Sequence, residues 1–205
     1  ARSGLRIGAG LVSVASPNAL APIIQSCLAE AMCVPSAESI EGTLGAGSED
    51  ELLKASVGMD ACAIGPGLSM HRETVQVVRH LVQRMMIPLV IDADGVNALA
   101  GFADVLQRAK APVILTPHPG EMARLINRPV ADIQKDRIGV ASAFALKHRV
   151  ILVLKGAGTV VACPDGRVFI NSTGNPGMAT GGTGDALTGM IGGLLAQGFL
   201  PCEAA

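Results

Sequence analysis

The chain has 205 residues, and 17 acidic side chains nearly balance 16 basic ones, for a net charge of −1. With no Trp or Tyr and only four Phe, it offers neither the basic patch nor the aromatic surface that nucleic-acid binding needs, so we expect no nucleic-acid partner. Although 49% of the residues are hydrophobic, no apolar run reaches the roughly 18 residues of a membrane span. The length fits one domain over residues 1–205.

Short apolar runs alternate with helical patterns along the chain, which is typical of βαβ units. Strands are predicted at Gly10–Ala15, Ala61–Gly65, Leu89–Ala93, Val113–Thr116 and Val150–Lys155, with a hairpin of Thr159–Cys163 and Arg167–Asn171 around the turn "PDG". Helices are predicted at Ala19–Ala31, Glu49–Ser56, Met70–Arg84, Glu121–Ile126, Ile133–His148 and Gly184–Gln197. Because the strands are apolar throughout, we predict an α/β fold, a three-layer α/β/α sandwich around a mostly parallel sheet.

The last predicted helix and the two chain ends carry further signals. Gly189, Gly192 and Gly193 weaken an isolated helix, so we expect them to permit close approach of a neighbouring backbone. The opening "ARSGLRIG" is typical of the end of a helix, and the closing "CEAA" of the first turn of another. We therefore expect the domain to lack N- and C-terminal elements.

The five cysteines are odd in number, and none of them are paired at C-x-x-C spacing. This usage is typical of a reducing compartment, so we predict a cytoplasmic protein with buried, inert thiols. No His or acidic residues accompany the cysteines at zinc-ligand spacing, so we predict no zinc site.

Polar stretches follow the predicted strands, and the carboxyl ends of parallel strands are where such folds bind ligands. They are "GPGL" (65–68), "DADGVN" (92–97), "TPHPGE" (116–121), "KGAGT" (155–159) and the glycine-rich loop that leads to Asp185. Each also has a purely structural interpretation. "GPG" alone is a turn, the acids of "DAD" cap a helix, His118 is a rigid loop residue, Lys155 is a solvated strand end and Asp185 is a helix N-cap.

The loop "GNPGMATGGTGDALTG" (174–189) favours phosphate binding. A helix start carries free N–H groups and a partial positive charge, and glycine lets those amides approach a phosphate closely. The loop is not a Walker A sequence, because neither Lys-Ser nor Lys-Thr follows, and it lacks the G-x-G-x-x-G spacing. Phosphate binding is therefore predicted through another geometry.

"GGTGD" before an apolar helix resembles the anion-hole motif of the ribokinase-like superfamily. The collinear set "RIGAGLV", "IGPGL", "DADGVNAL", "TPHPGEMARL", "VLKGAGTVV" and "NPGMATGGTGDALTGMIGGLLAQG" resembles the ADP/ATP-dependent NAD(P)H-hydrate dehydratases over essentially the whole chain. The resemblance implies nucleotide-dependent repair of the S epimer of hydrated NADH and NADPH. A phosphoryl group is transferred to the C6 hydroxyl, and phosphate is then eliminated.

The resemblance also implies residue roles. Asp185 is the base on the substrate hydroxyl, and Glu121 falls where the superfamily's acid helps to hold Mg²⁺, although His118 replaces the Asn of that motif. Asp94 and Asn97 lie near the phosphates. The other implied sites are the hydrate pocket with Ala9, Gly67, His118 and Asp185, the nucleotide site with Lys155, Gly156, Ala157, Gly158, Thr159 and Gly184, and the anion hole with Gly181, Gly182, Thr183 and Gly184.

The same resemblance implies ADP or ATP as phosphate donor, Mg²⁺, a homotetramer and an NAD(P)H-hydrate epimerase, fused or separate. Two alternatives remain open at this point. One is a small-molecule kinase of the same superfamily acting on a vitamin precursor or a sugar, and the other is a non-catalytic nucleotide-binding module.

Overall fold

A computed structural model describes all 205 residues and contains eight strands and ten α-helices. The strands are β1 (Ser13–Pro17), β2 (Met32–Ser36), β3 (Cys62–Ile64), β4 (Leu89–Ile91), β5 (Val113–Leu115), β6 (Ile151–Leu154), β7 (Thr159–Ala162) and β8 (Val168–Asn171). The helices are α1 (Arg2–Ile7), α2 (Ala21–Cys27), α3 (Ser48–Ala55), α4 (Arg72–Arg84), α5 (Asp94–Ala98), α6 (Pro119–Ile126), α7 (Val130–Lys135), α8 (Arg137–His148), α9 (Thr183–Ala196) and α10 (Pro201–Ala204).

Six strands form one sheet in the order β3-β4-β5-β6-β7-β8. The first four are parallel, with Leu89 of β4 opposite Cys62 of β3 and Val113 of β5. The last two add an antiparallel hairpin in which Val161 faces Phe169. The mostly parallel sheet and the hairpin are therefore confirmed. Strands β1 and β2 form a separate two-stranded parallel sheet.

Successive residues of the parallel strands enter two different hydrophobic clusters. Leu89 and Ile91 join a cluster with α4, α5, α6 and α8, whereas Val90 between them joins a second cluster with α9 and α10. All three residues are buried. Each such side chain contributes about 1.5–3 kcal/mol on burial, so both faces stabilise the sheet. The three-layer α/β/α arrangement is thus confirmed.

Helices α1 and α9 pack backbone to backbone through glycines. A Cβ atom on Gly4 would lie 3.2 Å from the Gly189 carbonyl oxygen, and one on Gly193 would lie 3.0 Å from the Gly4 carbonyl oxygen. A Cβ on Gly192 would meet only the Ala63 Cβ at 3.8 Å, which is ordinary contact. The predicted close approach is confirmed at Gly189 and Gly193 and is absent at Gly192.

Several element boundaries differ from the prediction for local reasons. The helix predicted at Ala19–Ala31 is a 3₁₀ turn followed by α2, which ends at Cys27. The helix predicted at Ile133–His148 breaks at Asp136, whose carboxylate accepts the Gly139 N–H at 2.8 Å and starts α8. The sequence did not predict β2, because Pro35 argues against a strand; β2 pairs only with β1, and an edge strand tolerates proline.

The cysteine prediction is partly wrong. The Sγ atoms of Cys163 and Cys202 are bonded to each other and join the residue after β7 to α10, and Cys27 is exposed. Burial raises the pKa of the Cys62 thiol to about 11, so this thiol is inert as expected. None of the helices combines the length and the apolar character that crossing a membrane requires.

Candidate active site

A buried carboxylate, Asp92, links the carboxyl ends of three parallel strands. It follows β4, Thr116 follows β5 and Lys155 follows β6. Asp92 Oδ1 accepts hydrogen bonds from Lys155 Nζ at 2.6 Å and from Thr116 Oγ1 at 2.8 Å. Its Oδ2 accepts from Thr188 Oγ1 of α9 at 2.8 Å. The network therefore fixes α9 and the lysine to the same edge of the sheet.

The ionised form of Asp92 is favoured by its partners. Burial on its own raises the pKa of this carboxyl, but the hydrogen bond and the charge of Lys155 and the two threonine hydroxyls outweigh it, so the pKa lies below its ordinary value of 3.8. Lys155 Nζ thus lies 2.6 Å from a carboxylate whose ionised form is favoured. Its side chain is 20% exposed, so the charge still reaches the surface.

The glycine-rich loop ends at the start of α9, next to Asp92 and Lys155. Gly182 is the N-cap, with a left-handed φ of 85° that glycine adopts without strain. The backbone N–H groups of Gly181, Gly182, Gly184 and Asp185 donate no hydrogen bond within the chain. A Cβ on Gly184 would lie 3.3 Å from Lys155 Nζ. Free amides, the positive end of the helix and an ammonium group therefore converge, which is the arrangement that binds phosphate.

Asp185 stands at the third position of α9 with an exposed side chain that forms no hydrogen bond or ion pair. Its interpretation as the N-cap is therefore wrong, because Gly182 occupies that position and no side chain caps the helix. What remains is a free carboxylate one residue beyond Gly184, next to the unpartnered amides.

The segment 155–159 forms a tight turn between β6 and β7. Gly156 and Gly158 have φ values of 139° and 63°, and Thr159 Oγ1 donates to the Gly156 carbonyl oxygen at 2.9 Å. Arg137 at the start of α8 donates to the Ala157 carbonyl oxygen at 2.7 Å. Lys155 is the first residue of the turn, and its side chain reaches the start of α9. The residues predicted to bind the nucleotide therefore lie next to those predicted to form the anion hole.

His118 and Glu121 form a reciprocal cap at the start of α6. His118 Nδ1 accepts the N–H groups of Gly120 at 2.9 Å and Glu121 at 3.3 Å, while Glu121 Oε2 accepts the His118 N–H at 2.7 Å. Because Nδ1 is the acceptor, this network assigns the proton of the neutral ring to Nε2. His118 Nε2 lies 3.4 Å from Glu121 Oε1, and the ring is 51% exposed, so one side of the ring still faces solvent.

The residues around Glu121 do not form a resident metal site. Its carboxylate is almost fully buried, engaged by the His118 N–H and 3.9 Å from Lys155 Nζ. No group of three His, Cys, Asp or Glu side chains that could hold a metal ion occurs in the chain. The observed role of Glu121 is to cap α6, and its part in holding Mg²⁺ stays a prediction.

The "GPGL" turn packs on the segment after β4. Gly65 has a φ of 139°, and a Cβ there would collide with the Asp92 carbonyl group. Asp94 Oδ2 accepts the Ser69 N–H at 2.9 Å, which ties the two loops together. Asn97 Oδ1 accepts a hydrogen bond from Arg124 Nε at 2.9 Å. The side chains of Asp94 and Asn97 are thus used within the protein, whereas Gly67 lies at the open rim.

Ala9 follows α1, near the C-terminal end of α9. Helix α1 runs alongside α9, so that Gly4 faces Gly189 and Gly8 contacts Gln197, just past the end of α9. Asp185 is at the other end of α9, twelve residues or roughly 18 Å away along the helix axis. Ala9 therefore lies apart from Asp185 along α9, and its place in the hydrate pocket stays a prediction.

Sequence reasoning gave no individual role to four residues of this site, Asp92, Thr116, Arg137 and Thr188, although the first two lie in the predicted polar stretches. Asp92 did carry a signal, because it is an acid directly after an apolar strand, but attention fell on Asp94 two residues later. Thr188 is the one hydroxyl residue between Asp185 and the end of α9. Arg137 lies eighteen residues before Lys155, so no local pattern connects the two.

Comparisons with known proteins agree with this architecture. A family model described as NAD(P)H-hydrate dehydratase matches residues 1–205. The bifunctional NAD(P)H-hydrate repair enzyme of Moorella thermoacetica is 47% identical over 205 residues, which cover 100% of this chain but only 39% of that relative. The chain therefore spans about two fifths of the length of this curated relative.

Two solved structures show the same fold. The Bacillus subtilis ADP/ATP-dependent NAD(P)H-hydrate dehydratase, co-crystallised with ATP/Mg²⁺ and soaked with CoA, is 36% identical, with a TM-score of 0.76 over 98% of this chain and 69% of its own. A ribokinase-like superfamily protein from Enterococcus faecalis is 29% identical, with a TM-score of 0.76 over 95% of this chain and 64% of its own. This chain belongs to the NAD(P)H-hydrate dehydratase family and has its ribokinase-like fold.

Proposed function

We propose that the chain catalyses nucleotide-dependent dehydration of the S epimer of hydrated NADH and NADPH, with ADP or ATP as phosphoryl donor. The observation that carries the proposal is the start of α9. There, an unpaired carboxylate, Asp185, stands beside four free N–H groups and the Lys155 ammonium. A base next to an anion-binding helix end is what phosphoryl transfer to a hydroxyl needs.

The proposed chemistry has two stages. The C6 hydroxyl oxygen attacks the terminal phosphorus of the nucleotide, the bond to the bridging oxygen breaks, and the shortened nucleotide leaves with that electron pair. The hydroxyl proton passes to Asp185. Electrons of the ring nitrogen then expel phosphate from C6, and loss of the C5 proton restores the C5–C6 double bond. Phosphate is a far better leaving group than hydroxide, which is why a nucleotide is needed.

The remaining residues serve binding and charge neutralisation. The amides of Gly181, Gly182 and Gly184, with Thr183, receive the transferring phosphoryl group, and Lys155 adds a positive charge beside it. The turn from Lys155 to Thr159 contacts the nucleotide. Gly67 and the exposed side of the His118 ring line the hydrate pocket.

Mg²⁺ is proposed to arrive with the nucleotide rather than as a resident ion. Magnesium usually keeps several waters and binds through substrate phosphates and one or two carboxylates, so it needs no protein cage. This suits a chain without a preformed cluster of metal ligands. The Bacillus subtilis relative was co-crystallised with ATP/Mg²⁺, which supports the same pairing here.

A small-molecule kinase is the second candidate, because the geometry of Asp185 and the anion site serves any acceptor hydroxyl. The family match over residues 1–205 favours the dehydratase.

The bifunctional relative from Moorella supports an NAD(P)H-hydrate epimerase, fused or separate, as a functional partner.

The test is incubation of the chain with chemically prepared NADHX or NADPHX, Mg²⁺, and either ADP or ATP. We expect hydrate to disappear and reduced-nicotinamide absorbance to return only when a nucleotide is present. Asp185→Asn is the matched inactive variant. Absence of nucleotide-dependent recovery with both hydrates would refute the proposal.

A further inference from the structure

We infer that Arg137 is a positioning residue for the turn 155–159. It orients the peptide groups of the turn so that the N–H groups of Gly156 and Gly158 face the bound phosphoryl donor. The inference rests on the proposed function only for the nature of that ligand, a nucleoside di- or triphosphate. The orientation of the turn itself follows from the contacts of Arg137.

Arg137 is the first residue of α8, and its guanidinium donates hydrogen bonds to the backbone of the turn on the side that faces α8. Its Nη1 donates to the Ala157 carbonyl oxygen at 2.7 Å. Its Nη2 donates to the carbonyl oxygens of Leu154 at 2.8 Å and Lys155 at 3.1 Å. All three contacts are to backbone, so the guanidinium is bound by the turn and not by a carboxylate.

The direction of the amides follows from peptide geometry. In a trans peptide, the carbonyl of one residue and the N–H of the next point in opposite directions, and the chain has no cis peptide. Because Arg137 draws the carbonyls of Lys155 and Ala157 towards α8, the N–H groups of Gly156 and Gly158 point away from α8. Neither N–H donates a hydrogen bond within the chain. Two free donors are therefore presented beside Lys155.

The fit between Arg137 and Gly156 is tight. A Cβ on Gly156 would lie 3.0 Å from Arg137 Nη1, and its φ of 139° is one that other residues rarely adopt. Arg137 Nε is buried without a hydrogen-bond partner, whereas Nη1 makes one hydrogen bond and Nη2 makes two, all to the turn and the end of β6. Lysine cannot replace the fork, because an ammonium is a single point of charge.

The experiment compares Arg137→Gln and Arg137→Lys with Arg167→Gln. The control removes the same charge from the β7–β8 turn, where Arg167 is exposed and pairs only with Asp165. ADP binding is measured by calorimetry, and the amide signals of Gly156 and Gly158 are followed by ¹H–¹⁵N NMR. Kinetics then separate the KM for nucleotide from the KM for the hydrate.

We expect the Kd for ADP to rise at least about tenfold in Arg137→Gln, and to rise in Arg137→Lys as well, although the charge is kept. The two glycine amide signals should shift in both variants without nucleotide. The KM for nucleotide should rise while that for the hydrate stays near wild type. Arg167→Gln should remain within about twofold in every readout. If Arg137→Gln does not fold, Gly156→Ala keeps the arginine, displaces the turn, and should reproduce the pattern.

An unchanged ADP affinity in a folded Arg137 variant, with unmoved glycine amide signals, would overturn the positioning role. A loss confined to kcat or to the KM for the hydrate would overturn it too. If the wild-type chain binds neither ADP nor ATP, the proposed function fails. The glycine amide signals then decide the role of Arg137, supporting it if they shift and refuting it if they do not.

Discussion

Asp185 is unusual among the acidic residues of the site because its carboxylate has no partner. Asp92 is bound by three side chains, Glu121 caps α6, and Asp94 ties two loops. A carboxylate in the first turn of a helix interacts favourably with the helix dipole, and the side chain of Asp185 is also exposed. An unpaired Asp185 carboxylate therefore suits the proposed role as a base better than a role as a helix cap.

Asp185→Asn should separate chemistry from stability. Because the side chain forms no hydrogen bond, we expect the free energy of unfolding to change by less than about 1 kcal/mol. Because the base is lost, turnover should fall about 10²- to 10⁴-fold. Thermal unfolding and hydrate turnover on the same preparation measure both. Normal turnover in a destabilised variant would assign Asp185 a structural role only.

Asp92 affects both the stability of the fold and the geometry of the site, because it accepts hydrogen bonds from Lys155, Thr116 and Thr188. We expect Asp92→Asn to lower the free energy of unfolding by about 3 kcal/mol, because Lys155 loses its buried partner. ADP affinity should fall with it, because the ammonium is no longer held beside Gly184. Chemical denaturation measures the free energy of unfolding, and calorimetry measures ADP affinity. Unchanged ADP affinity would mean that the hydrogen bonds of Asp92 do not position the binding site.

Asp92 also predicts how stability depends on pH. Its pKa in the folded state lies below the ordinary value of 3.8, so the unfolded state binds protons more readily. The stabilisation is therefore present above about pH 4 and is lost as pH falls through the folded pKa. Asp92→Asn should flatten the acid limb of the curve of unfolding free energy against pH. The backbone N–H and side chain of Arg167 lower the pKa of Asp165 too, but this ion pair is exposed, so Asp165→Asn should flatten the limb much less.

Among the elements, those with strong periodicity or long apolar runs were predictable. The parallel strands β3 to β6, the β7–β8 hairpin and helices α4 and α9 all lie within their predicted ranges apart from a residue or two at the ends. Helix α5 is only five residues long and β2 contains a proline, so neither has a pattern that identifies it. Their structure comes from tertiary contacts, which a local sequence pattern does not record.

The contact between α1 and α9 predicts opposite effects for two adjacent glycines. Gly193→Ala should lower the free energy of unfolding by about 1–3 kcal/mol, because its Cβ would press on the Gly4 backbone and on Ile7. Gly192→Ala meets only ordinary contact and gains helix propensity, so it should raise stability by up to about 1 kcal/mol. Denaturant unfolding of both variants tests the pair. Equal effects would mean that the contact does not control the stability of α9.

For the molecule as a whole, the sheet topology explains why the polar stretches were predicted to meet at one edge. Parallel strands bring their carboxyl ends together, so His118, Lys155 and Gly67 converge although they are far apart in sequence. The position of Ala9 was not predictable in this way. It depends on the direction in which α1 packs on α9, and motif order alone does not encode that direction.

The most direct test of the central claim follows the phosphoryl group through a complete turnover. With ADP as donor and NADHX as substrate, we predict that one AMP and one inorganic phosphate form for each NADH recovered, because the phosphorylated ring does not persist. Quantitative ³¹P NMR, combined with reduced-nicotinamide absorbance, gives the ratio. Accumulation of a stable phosphorylated product without phosphate release would instead identify a kinase. Recovery of NADH without consumption of nucleotide would contradict the mechanism.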